Sequence, residues 1–132
     1  MPDLADLAAR IALFLKSHES YERRERKTYK SQLNGLIEFF NVIADREDWR
    51  EVLISWIARQ IRRELLPRGK TMNLWIDFIK NKDKKSVQEL FALTKIMYEA
   101  IESQANIYVY RREEDRFDFD YFLEKFKSSL GR

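Results

Sequence analysis

The chain has 132 residues, of which 45% are hydrophobic, 14% aromatic and 36% charged, with a formal net charge of +3. This composition excludes a disordered chain, and the absence of cysteine excludes a disulfide framework, a thiolate nucleophile and a cysteine-built zinc site. One histidine and three glycines leave little material for a catalytic centre or a phosphate-cradling loop. The length fits one compact domain, 1–132, with a real core. Charges interrupt every apolar run well before the ~18 residues of a membrane span, and no window resembles a signal peptide. A soluble, cytoplasmic protein without membrane partners is the expectation.

In chain order, Asp3 precedes Leu4, Leu7, Ala8, Ile11, Phe14 and Leu15, whose spacing predicts a helix over 3–17 with one apolar stripe. Tyr29, Leu33, Leu36, Ile37, Phe40 and Ile43 form a second stripe behind the charged lead-in Glu22 to Lys30. Gly35 within it costs about 1 kcal/mol relative to alanine, which a close helix contact would justify. Asp48 with Glu51 reads as a capping-box variant opening Trp49, Val52, Leu53, Trp56, Ile57 and Ile61. Pro67 and Gly69 stop that helix, and Thr71 caps a short one with Leu74, Trp75, Phe78 and Ile79.

Ser86 and Glu89 form a second capping box, opening the longest pattern, Val87 to about Tyr110. Its main stripe runs through Leu90, Phe91, Thr94, Met97, Tyr98 and Ile101. At ~100° per residue, Leu93, Ile96, Ala100 and Ile107 point away from that stripe and form a candidate protein interface. After the charged break Arg111 to Arg116, Phe119, Phe122, Leu123 and Phe126 predict a last helix within 116–130. The alternation from Phe117 to Tyr121 also fits a short extended piece. The fold expected from these elements is an all-α, single-domain bundle of about five to six helices, built on Leu33, Phe40, Trp56, Ile57, Phe78, Leu90, Met97, Tyr98 and Ile101.

Catalytic candidates are few. His18 lies at the end of the first stripe without an obvious partner, the place of a helix-terminal histidine rather than a base. The acidic residues Glu113, Glu114, Asp115, Asp118 and Asp120 lack EF-hand spacing and a glycine turn, so they read as a solvated or partner-facing surface. No nucleophile elbow or phosphate-binding glycine motif is present. A non-enzyme without cofactor or metal is expected.

The basic residues are grouped. Arg23, Arg24, Arg26, Lys27 and Lys30 form one island, Arg59, Arg62, Arg63, Arg68 and Lys70 a second, and Lys80, Lys82, Lys84 and Lys85 a third. Because the net charge is only +3, positive charge is segregated rather than general. Lysines and arginines that neutralise phosphates release counterions and supply sequence-independent affinity, which makes these islands candidate nucleic-acid contacts. Ion pairs such as Glu22 with Arg26 are the alternative use of the same charges. No helix-turn-helix or aromatic single-strand platform accompanies them, so base reading is not expected.

Thr28-Tyr-Lys-Ser-Gln-Leu33 opens a helix, and a second long helix ends in Arg59-Gln-Ile-Arg-Arg63. A short tryptophan-containing helix follows, and the run from Lys84-Lys-Ser-Val-Gln-Glu-Leu to Glu102 then leads toward Tyr108 and Tyr110. In this pattern, over roughly 28–110, the chain resembles the small all-helical subunit of type III CRISPR effector complexes. Asn34-Gly35-Leu36 with Trp49 and Trp56 resembles the second branch of the same subunits, so the branch stays open. The resemblance implies a non-catalytic antiviral subunit that stacks along guide and target RNA, contacts the backbone through basic faces and adjoins other subunits or its own copies. By location it points to Arg59, Arg62, Arg63 and Lys84; it does not extend to the N-terminal helix or the aromatic-acidic C-terminus. The competing function is a helical protein-interaction adaptor without nucleic-acid binding.

Overall fold

The structure, a computed structural model, describes residues 3–18, 29–108 and 119–129. They form an all-α, single-domain bundle. Its helices are α1 (Leu4–His18), α2 (Tyr29–Ile43), α3 (Trp49–Arg62), α4 (Lys70–Asn81), α5 (Lys84–Tyr108) and α6 (Phe119–Ser129). The lead-in Glu22 to Thr28, the break Arg111 to Arg116 and the Phe117–Asp118 part of the alternation lie outside the described residues. From Phe119 onward the alternating segment is helical, because Phe122, Leu123 and Phe126 share one side at helical spacing.

Helices α2 to α5 join through short turns, and ring contacts tie them together. Phe40 meets Trp49 edge to face at 5.5 Å and Phe91 at 5.3 Å, and Phe91 meets Trp75 at 5.6 Å. This chain of four rings takes one from each of α3, α2, α5 and α4, in the edge-to-face geometry that aromatic quadrupoles prefer. Helix α5 lies at the centre, its Val87, Leu90, Phe91, Thr94, Met97, Tyr98 and Ile101 buried. The buried Thr94 hydroxyl donates to the Leu90 carbonyl at 2.6 Å, so it brings no orphaned polar atom into the core.

Helix α1 makes the most extensive contact of the bundle, with α5. Ala5, Ala8, Ala9 and Ala12 are all buried, and their i, i+3, i+4, i+7 spacing forms a low ridge that lets two backbones approach. Among the expected core residues, Trp56 and Phe78 are half-buried at the rim and the others are buried. Gly35 does not serve a close contact: a Cβ there would meet nothing within 4 Å.

The helix boundaries show which cap prevailed. Asp3 accepts the Asp6 amide at 2.8 Å, as its position ahead of α1 suggests. Asp48 occupies the N-cap of α3 without capping it; its carboxylate takes two bonds from Arg46, at 2.7 and 2.8 Å. Helix α5 is capped by Asp83, which accepts the Ser86 amide at 2.8 Å, so the box at Ser86 and Glu89 lies inside the helix. Helix α4 starts on Gly69 rather than Thr71. Helix α3 stops well before Pro67, in a Schellman turn: Leu65 N–H bonds the Gln60 carbonyl at 2.8 Å and Glu64 N–H the Ile61 carbonyl at 3.0 Å.

Candidate nucleic-acid interface

The second basic island is built around the corner between α3 and α4. Arg59 and Arg62 leave the last turn of α3, and Arg63 is its C-cap. The Schellman turn then reverses the chain through Arg68 to Gly69, whose φ of 136° and ψ of −178° lie in a region essentially reserved for glycine. Gly69 allows α4 to start immediately, and its carbonyl accepts the Asn73 amide at 3.0 Å. No side chain caps this N-terminus. The positive end of the α4 dipole therefore adds to the surrounding arginines.

A shallow groove of about 450 Å³ occupies the corner, with Arg62 and Arg68 on its rim, Asn73 beside them, and Ile61, Met72 and Ile76 beneath. Arg59, Arg62, Arg63, Arg68 and Lys70 are all exposed. Among the described residues none of the five carries an ion pair. Several cations elsewhere have structural tasks. Lys30 bonds Glu102 across α2 and α5 at 3.2 Å, Arg46 pairs with Asp48, and Lys127 with Asp6 at 2.6 Å. Arg50 donates to the Ile79 and Lys82 carbonyls at 2.9 and 2.7 Å and lies over the Trp49 ring, closing the C-terminus of α4.

The second and third islands do not merge. Arg23, Arg24, Arg26 and Lys27 lie outside the described residues. Lys80, Lys82, Lys84 and Lys85 are exposed at the turn between α4 and α5. Lys70 and Lys80, at the two ends of α4, are ten residues and so about 15 Å apart along its axis. Asp77 stands exposed between them. In the third island the Ser86 amide, and then Lys85 and Lys82, hold the Asp83 carboxyl below its ordinary range, so this acid stays charged as a cap amid the lysines.

The second stripe of α5 is only partly open. Leu93 packs against the core, Ala100 is half-buried and Ile96 is 52% exposed; the Ile107 side chain lies outside the described ones. His18 stacks on Phe14 at 4.1 Å, and its Nδ1 lies 3.0 Å from both the Phe14 carbonyl and the Ser17 hydroxyl, the setting of a helix terminus. Glu113, Glu114, Asp115 and Asp118 lie outside the described residues, and Asp120 is exposed in the first turn of α6. Asn73 carries no signal in the sequence; its place near the start of α4 becomes visible only once Gly69 is known to begin that helix. No protein-family model, curated protein or solved structure matches the chain. Among the described residues no helix is long and apolar enough to cross a membrane.

Proposed function

We propose that the protein is a non-catalytic RNA-backbone-binding subunit of a larger ribonucleoprotein, of the CRISPR small-subunit kind that its sequence resembles. The observation that carries the reading is the α3–α4 corner: five exposed cations without ion pairs among the described residues, two of them on the rim of a groove at an uncapped helix N-terminus. A phosphate placed there meets guanidinium forks and the positive helix end together, and base identity plays no part.

The test is binding of single-stranded RNA across a series of salt concentrations, with Arg59, Arg62 and Arg63 changed to Glu. The wild type should bind with little sequence preference, and affinity should fall as salt rises. The variant should bind more weakly, its log–log salt slope reduced by about 0.7 for each phosphate that is no longer neutralised. An unchanged affinity and slope would exclude this surface. A protein-adaptor function is favoured by a different observation, the apolar side of α6, where Phe122, Leu123 and Phe126 all remain partly open to solvent. That reading gains ground if RNA is not bound at low salt and a partner protein covers α6.

A further inference from the structure

Helices α2 and α3 pack against each other, and each carries a series at helical spacing beside the contact. Gly35, Phe39 and Val42 recur at i, i+4 and i+7 along α2; Val52, Trp56 and Arg59 recur at the same spacing along α3. The two series meet at Phe39 and Trp56. The central pair is in direct contact, the Phe39 and Trp56 rings stacked at 5.1 Å and 19°. Both rings are half-buried, Val42 is 80% exposed, and the space above Gly35 is empty to 4 Å. The result is a partly open aromatic pair with exposed Arg59 one helical turn from Trp56.

The pair adjoins the corner already described. Arg59 stands one turn beyond Trp56, and Arg63 continues the flank a further turn on. Charge complementarity selects the occupant: an apolar protein helix would lay its greasy face beside exposed arginines, whereas a nucleotide joins a flat π-face to a phosphate. We infer that the half-buried Phe39–Trp56 pair is a stacking platform for an unpaired nucleobase whose neighbouring phosphates reach Arg59 and Arg63. The inference rests on the proposed phosphate surface and narrows its ligand to single strands. Stacking accepts any base, so it adds affinity without adding sequence preference.

The experiment compares oligouridylate with an abasic sugar–phosphate strand of equal length and charge, following affinity and tryptophan emission. Trp49 and Trp75 are only 8% and 1% exposed, so quenching by a stacked base reports on Trp56. The wild type should bind the base-bearing strand between about fivefold and a hundredfold more tightly than the abasic one. Trp56→Ala should erase that difference and leave abasic binding unchanged. Gly35→Met keeps both rings and the helix while filling the open space, and should also erase it. Equal affinity of the wild type for the two strands overturns the platform but leaves the phosphate surface standing. Failure of both strands to bind at low salt overturns both proposals.

Discussion

Glu64 combines a backbone cost with a charge placed against its surroundings. It occupies the left-handed position of the Schellman turn at φ 59°, where an L side chain costs roughly 1–2 kcal/mol. It also adds a negative charge next to Arg63 in the chain. Glu64→Gly should therefore raise stability by about 1 kcal/mol, read from urea denaturation, and tighten RNA binding. A variant less stable than the wild type would show that this side chain holds the turn. Caps are hard to read at this scale. Ser86 with Glu89 satisfies the box pattern on paper, yet Asp83 three residues earlier offers a better acceptor, and local sequence does not rank two overlapping caps. Asp48 fails as a cap because Arg46, two residues away, claims its oxygens.

Helix α6 illustrates the limit of periodicity at the level of elements. Its stripe predicts the helix, but a stripe says which side seeks cover and not how much cover it finds. The Lys127–Asp6 pair fastens α6 to α1. The Lys127 ammonium holds the Asp6 carboxyl below its ordinary value. A depressed carboxyl stabilises the folded form above the unfolded pKa of about 3.9, and the contribution disappears as pH falls through the lower, folded value. Lys127 is raised by the same partner, so its contribution is present below the ordinary lysine value of 10.5 and is lost once pH passes the folded one. Amide exchange in α6 should therefore accelerate below about pH 4 while α5 remains protected. Asp6→Asn should produce that acceleration at neutral pH. Simultaneous loss of protection in both helices would show that α6 is held by the bundle rather than by the pair.

For the molecule as a whole, the stability argument converges on Phe91, which is 1% exposed and joins Phe40 to Trp75 in the ring chain. Phe91→Ala should cost about 3–5 kcal/mol in a single cooperative transition, with the near-ultraviolet circular dichroism of the rings lost in the same step. A cost below about 1 kcal/mol would mean that neighbouring side chains collapse into the space. The all-α class and the buried faces were legible because apolar residues recur so regularly from Leu33 to Ile101. Which helix ends come together was not, since a 3.6-residue period identifies a face but not its neighbour. Hence the second and third islands, similar in sequence, stand at opposite ends of α4, and Lys30 became a strut to Glu102. Trp56 looked like core for the same reason: its place at the stripe's edge became meaningful only when Phe39 was found beside it.

The alanine ridge of α1 bears on how the chain emerges from the ribosome. Its docking surface on α5 lies most of the chain away, so at about 5–20 residues per second α1 waits for some seconds before that surface is made. A leucine ridge would spend the interval as a sticky amphipathic helix. Alanines expose little apolar area when solvated and still permit intimate contact once α5 arrives, so on this ridge α1 is less adhesive during synthesis than leucines would make it.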